Sequence, residues 1–170
     1  MRGRAAALAG SALFLLVAPG TVAGLIPYLI GGWRFAGDFG PGPALRLAGA
    51  AAILTGLAAL VSCFLRFAWQ GVGTPAPVAP TRSLVVGGLY RHVRNPMYLA
   101  VVALIAGQAL WFGSVALLAF AGLVWLAFHL FVIAYEEPAL RRRFPADYRD
   151  YAGHVGRWVP RLRPWRGAPD

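Results

Sequence analysis

The sequence predicts an all-α fold: an integral membrane helical bundle of about four transmembrane helices with a C-terminal amphipathic helical tail. Three observations carry this. Apolar residues make up 59% of the 170-residue chain and charged ones only 13%, with a mean hydropathy of +0.62, which is a membrane protein's balance. Four apolar runs approach or exceed the roughly 20 helical residues that cross a hydrocarbon core. The formal charge of +10 rests on sixteen basic residues, every one an arginine, and they gather at the ends of the apolar runs and between them.

The first run, 5–30, contains Pro19-Gly20, which predicts a kink or break in its middle. Its opening, MRGRAAALAGSALFLLVAPGTVAG, imitates a secretory leader with a small-residue pattern near Ala23. The apolar stretch continues through LIPYLI past any cleavage point, so it is read as a span. The second run covers 44–67, the third 97–112 and the fourth 114–135. The last two meet at WFGS, a helical hairpin with no room for a soluble loop. The whole chain therefore reads as one membrane domain: two spans within 5–67, a loop over 68–96, the hairpin over 97–135 and a tail over 136–170.

Arg2 and Arg4 precede the first run, Arg66, Arg82, Arg91 and Arg94 fall between the second and third, and eight more follow the fourth, against Arg34 and Arg46 between the first two. The positive-inside bias puts both termini and the central loop in the cytoplasm, as in an inner-membrane protein whose charged face is cytoplasmic. Basicity of this kind reflects topology, and no aromatic-interleaved basic groove suggests nucleic acid. GVGTPAPVAPTRS, 71–83, reads as an extended segment on the membrane surface; its GVG is followed by Thr-Pro and not by a helix start, so it is no phosphate loop. Cys63 cannot form an intrachain disulfide and reads as a packing residue.

Chemistry is expected where charge meets lipid at a cost, which singles out GGLYRHVRNPMY and YEEPALRRRF. Glu136 and Glu137 end an apolar helix, where the dipole disfavours acids. Arg141, one turn on, could compensate Glu137 locally; alternatively the hairpin returns the glutamates beside Arg91 and Arg94. Asn95-Pro96 opens the third span, and its free amides beside the arginines favour a carboxylate. Gly87-Gly88 either forms a turn or lets a ligand approach closely. Tyr90 and Tyr98 are either ligand contacts or interfacial anchors.

Of the remaining polar residues, His129 lies deep in the fourth run and is read as a hydrogen-bonding partner of a neighbouring helix. His92 and His154 read as solvated or interfacial, no spacing suggests a metal site, and Gln108 is assigned to helix packing. Leu140, Phe144, Tyr148, Tyr151 and Val155 recur at helical spacing opposite Arg142, Arg143 and Arg149. Interrupted at Pro145, they read as a broken amphipathic cover on the membrane surface, or as a lipid anchor.

GLYRHVRNPMYLA, followed after the hairpin by EEPALRRRFPADYRDYAGHVGRWVP, resembles the C-terminal half of the isoprenylcysteine carboxyl methyltransferase and phospholipid methyltransferase superfamily over about 71–163. The resemblance implies a membrane enzyme that binds S-adenosylmethionine and passes methyl to a lipophilic acceptor entering from the bilayer, a lipid or a lipidated substrate. Position by position, Tyr90, Arg91, Arg94, Asn95, Pro96 and Tyr98 match the cofactor-side loop, and Glu136 and Glu137 match the acidic pair. Many prenylcysteine enzymes have histidine where this chain has Asn95, which weakens that acceptor more than it weakens methyl transfer. The sulfonium already activates the methyl group, so the protein mainly aligns donor and acceptor. Arg94 would orient a carboxylate acceptor; Glu137 or His92 would take the proton of an amine. Two other readings stay open: a steroid-reductase-like membrane enzyme using NADPH, and a non-catalytic protein whose arginines bind anionic lipid or a partner.

Overall fold

The computed structural model describes residues 15–69 and 84–167. The leader-like start, Arg2 and Arg4, and the proline-rich stretch 71–83 lie outside the described residues. The described residues form five helices: α1 Leu15–Gly31, α2 Pro43–Trp69, α3 Pro96–Phe112, α4 Val115–Arg143 and α5 Pro145–His154. Two of them, α2 and α4, are long and apolar enough to cross a membrane; α1 and α3 are apolar and shorter. The described residues divide into two compact units, one holding 15–60 and 97–127, the other 61–69, 84–96 and 128–167.

In the first unit, α1 is helical through Pro19-Gly20, where a kink or break is expected. Its irregularity lies at Thr21–Leu25, a widened turn in which the Ile26 N–H reaches the Thr21 carbonyl. The reason is Pro27. It has no N–H for the Ala23 carbonyl and its ring presses on that oxygen. The Gln108 side chain supplies the missing donor, Nε2 to Ala23 O at 2.8 Å. Glycine ends the helix: Gly32 is left-handed (φ 59°, ψ 18°) and its N–H returns to Tyr28 O.

Helices α2 and α3 approach backbone to backbone. A Cβ on Gly49 would stand 2.7 Å from Gly107 O, one on Gly107 2.8 Å from Gly49 O, and one on Gly56 3.0 Å from Ala100 O. Contacts that fall along α3 as they rise along α2 make the pair antiparallel, and small residues permit the close approach that drives association in lipid. The Gly113-Ser114 turn then starts α4. Ser114 Oγ accepts the Leu117 N–H at 3.3 Å and Asp38 Oδ2 accepts the Val115 N–H at 2.9 Å, covering two donors that the helix start leaves open. Within α4, Leu117, Ala121 and Val124 form a narrow buried stripe, while Leu118, Leu123, Leu126 and Leu130 are exposed. A helix apolar all round with so thin a buried face suits hydrocarbon.

The second unit corrects two expectations. α4 does not end at Tyr135; it continues to Arg143 through a second widened turn, Val132–Glu136, where the Glu137 N–H bonds Val132 O. Pro138 is the physical cause, as Pro27 is in α1. Glu136 and Glu137 therefore lie inside a helix and not at its end. The tail does break at Pro145, which opens α5. Its apolar face is not left for lipid, however: Tyr148, Tyr151 and Val155 are buried, with Leu84, Val86, Leu140, Phe144 and Trp165 packed around them.

Candidate functional site

Three stretches distant in sequence meet in the second unit: the arginine loop before α3, the last turns of α4, and the tail around and beyond α5. The loop turns at Gly88, which is left-handed (φ 59°), passes through a single 3-10 turn over Gly88–Arg91, and ends where Pro96 opens α3. The tail then straps the loop. The Arg94 N–H bonds Gly156 O at 2.9 Å, the Arg161 N–H bonds His92 O at 2.9 Å, and the Trp165 N–H bonds Arg91 O at 3.0 Å. Side chains fasten it further: Asn95 Nδ2 donates to Arg157 O at 3.1 Å, and the Tyr151 hydroxyl donates to Tyr90 O at 2.7 Å. His92, expected to be solvated or interfacial, is half-buried with Nδ1 2.8 Å from Arg161 O. A carbonyl only accepts, so that nitrogen carries the proton.

Glu137 sits at the centre of this assembly and is 5% exposed. Its Oε1 is 3.1 Å from Arg94 Nη1. Arg157 grips it in bidentate fashion, Nε to Oε1 at 2.5 Å and Nη2 to Oε2 at 2.9 Å. Arg141 stands 3.6 Å from Oε2, but its side chain is 66% exposed, and an ion pair so open to solvent contributes little. Both compensations foreseen for Glu137, the local Arg141 and the loop's Arg94, are thus present. The strongest partner, Arg157, went unassigned. It stands in the GHVGRWVP segment of the tail, and a buried carboxylate that must be fully hydrogen-bonded is the signal that could have pointed to it.

One carboxylate facing three guanidiniums leaves the cluster net positive. Arg94 shows where the excess lies: Nη1 also donates to the Tyr148 hydroxyl at 3.1 Å, yet its Nε is buried without a hydrogen-bond partner. Burial, then the nearby Glu137 charge, pushes the Tyr148 phenol above its ordinary value, so it stays neutral. The hydrogen bond to Glu137 holds the Arg157 guanidinium protonated even more firmly than usual. A cleft of about 380 Å³ borders the cluster at Arg141 and Tyr148 and is completed by Pro145, Arg149, Ala152 and Gly153. That volume falls in the range of small-molecule sites.

Of the sequence-predicted residues, the contacts gather Tyr90, Arg91, Arg94, Asn95 and Glu137. Pro96 is buried directly after them, Glu136 is half-buried beside Glu137, and Tyr98 is half-buried in the first turn of α3. His129, expected to bond a neighbouring helix, accepts the Trp158 indole N–H on Nδ1 at 3.0 Å, a contact with the tail strap. Donors and charges of this kind fit S-adenosylmethionine: an unsatisfied buried Arg94 donor within an excess of positive charge suits its carboxylate, and Glu136 suits its ammonium or ribose hydroxyls.

The family model for phospholipid methyltransferases matches residues 45–147. Comparison with curated proteins and with solved structures returns no match.

Proposed function

The chain belongs to the phospholipid methyltransferase family, within the membrane methyltransferase superfamily that includes the isoprenylcysteine enzymes, and from that premise we propose that it methylates a lipid amine with S-adenosylmethionine. The observation that carries the site is the Glu137 cluster, which gathers loop, helix and tail around a surplus of positive charge and an unpartnered Arg94 Nε.

When bound, the cofactor supplies a methyl group already activated by its sulfonium. The protein's task is binding, orientation and exclusion of water. Arg94, with Arg91, is assigned the carboxylate; Tyr90 and Tyr98 stand on either side of Asn95-Pro96 in the sequence. Asn95 keeps the strap closed through its bond to Arg157 O. Glu137 is fully engaged with arginine, which gives it the part of a clamp that fixes Arg94. Glu136, the neighbouring carboxylate, is assigned the ammonium or ribose and the proton that an acceptor amine must lose. The acceptor enters from the bilayer, on the face that carries most of the arginines.

Purified protein in detergent, given S-adenosylmethionine with a labelled methyl group and phosphatidylethanolamine, should place label in the lipid. Label in a prenylcysteine instead would move the acceptor to a carboxylate. Binding of NADPH with none of S-adenosylmethionine would overturn the reading.

A further inference from the structure

Arg66 is a charged residue of the second unit that the cluster leaves out. It stands half-buried in the last turn of α2. An arginine at the end of a span normally extends its guanidinium toward the headgroups. This one lies folded on the Gly87-Gly88 turn. A Cβ at Gly87 would run into Arg66 Nη1, and one at Gly88 would stand 2.7 Å from Nε and 3.1 Å from Nη2. The two glycines are therefore the seat of the Arg66 guanidinium, which answers why the turn lacks side chains.

Among the described residues no carboxylate forms an ion pair with it: Glu137 is held by Arg94, Arg141 and Arg157, and Asp150 pairs with His154. A half-buried cation beside the buried Cys63, at the lip of an apolar span, carries a desolvation cost that an anion from outside the chain would offset. Phosphodiesters are the anions at that depth of a membrane, and arginine's planar fork suits them.

We propose that Arg66, seated on Gly87-Gly88, binds the phosphodiester of the acceptor lipid and so selects phospholipids among amine-bearing lipids. The inference rests on the methyltransferase reading above. Because the amine of an ethanolamine phospholipid is tethered to its phosphate by a short two-carbon link, anchoring one restricts the position of the other. Arg94 serves the cofactor's carboxylate and Arg66 the acceptor's phosphate.

The test is calorimetry in detergent with a short-chain phosphatidylethanolamine and with an alkylamine of similar length that lacks phosphate. R66Q should weaken the phospholipid about tenfold, the scale of one lost charge-assisted contact. Affinity for the alkylamine and for S-adenosylmethionine should stay unchanged. G88A, which must displace the guanidinium, should reproduce the loss, and R66K should recover part of it. Equal weakening of both amphiphiles, unchanged phospholipid affinity, no phospholipid binding by the parent, or loss of S-adenosylmethionine binding in R66Q would each overturn the proposal. Binding is read without turnover, so a parent that binds the phospholipid through Arg66 but transfers no methyl would sink the enzymatic reading alone.

Discussion

Pro27 and Pro138 open their helices in the same way, and what closes each opening differs. In α1 the widened turn Thr21–Leu25 leaves Ala23 O to Gln108, whose amide also bonds Leu104 O at 3.1 Å and accepts the Trp33 indole N–H at 3.1 Å. The Ala23 carbonyl, the Gln108 amide and the Trp33 indole are all neutral and all bonded. In α4 the widened turn Val132–Glu136 delivers Glu137 into a set of arginines with charge to spare and a donor left over. A proline-opened turn is thus a structural joint when a neutral amide seals it and a candidate site when charges meet there unbalanced. Widened helical turns recur at functional sites, yet here the backbone device alone does not discriminate; the electrostatic remainder does.

The sharpest way to break that contrast is to delete both seals. Glu137→Ala leaves the largely buried Arg94 without its carboxylate and the one-third-exposed Arg157 beside it unpaired, which should cost about 3–5 kcal/mol of stability and abolish S-adenosylmethionine binding. Gln108→Ala strands the Ala23 carbonyl and should cost about 1–3 kcal/mol with cofactor affinity intact. Denaturation in detergent paired with calorimetry separates the two. Equal losses of stability, or a fall in cofactor affinity for Gln108→Ala, would erase the distinction.

These two regions were not equally legible in the sequence. The apolar helices were readable because their runs are long and continuous, and four of the five helices among the described residues follow from them. The charged contact between Arg94 and Glu137 was readable because a hairpin with a short turn must bring its far ends together. Proline's second effect was harder to see. Pro27 and Pro138 each fall where an ordinary helix continues by composition, so the sequence shows a possible stop, while the structure absorbs the proline in a widened turn. Arg157 and Arg66 escaped for a different reason. Each is one arginine among sixteen, and only folding shows that the first grips a carboxylate while the second lies on a glycine turn.

A smaller effect is expected at the strap. Trp158→Phe keeps the ring and removes the bond to His129 Nδ1, costing about 0.5–1.5 kcal/mol. If the strap is a local fastening of the charged region, the loss should appear as faster hydrogen exchange at the Arg94 and Arg161 amides, whose acceptors are Gly156 O and His92 O. Exchange in α1 and at Gln108 should not change. A uniform rise throughout the chain would mean that the indole supports the whole fold and not the strap.

The smallest effect concerns pH, and it divides the regions by kind. Nothing among Ala23, Gln108 and Trp33 titrates in the accessible range, so the deficit of Gln108→Ala should be the same at every pH where the protein folds. Around Glu137, burial and the carboxylate raise the Tyr148 phenol above its ordinary value of 10.0, and burial raises Tyr151 further. A folded-state value above the unfolded one means that the fold favours the protonated phenol. That stabilisation is complete below about pH 10 and is lost as pH rises through the folded-state value. Tyr148→Phe loses one hydrogen bond from Arg94 and should change stability at neutral pH by about 1 kcal/mol. Its alkaline decline should be shallower than the parent's, because one of the two phenols that must ionise in a buried place is gone. An unchanged alkaline slope would show that Tyr148 is not held neutral by its surroundings, and the charged region would then differ from the neutral one in its ion pairs alone.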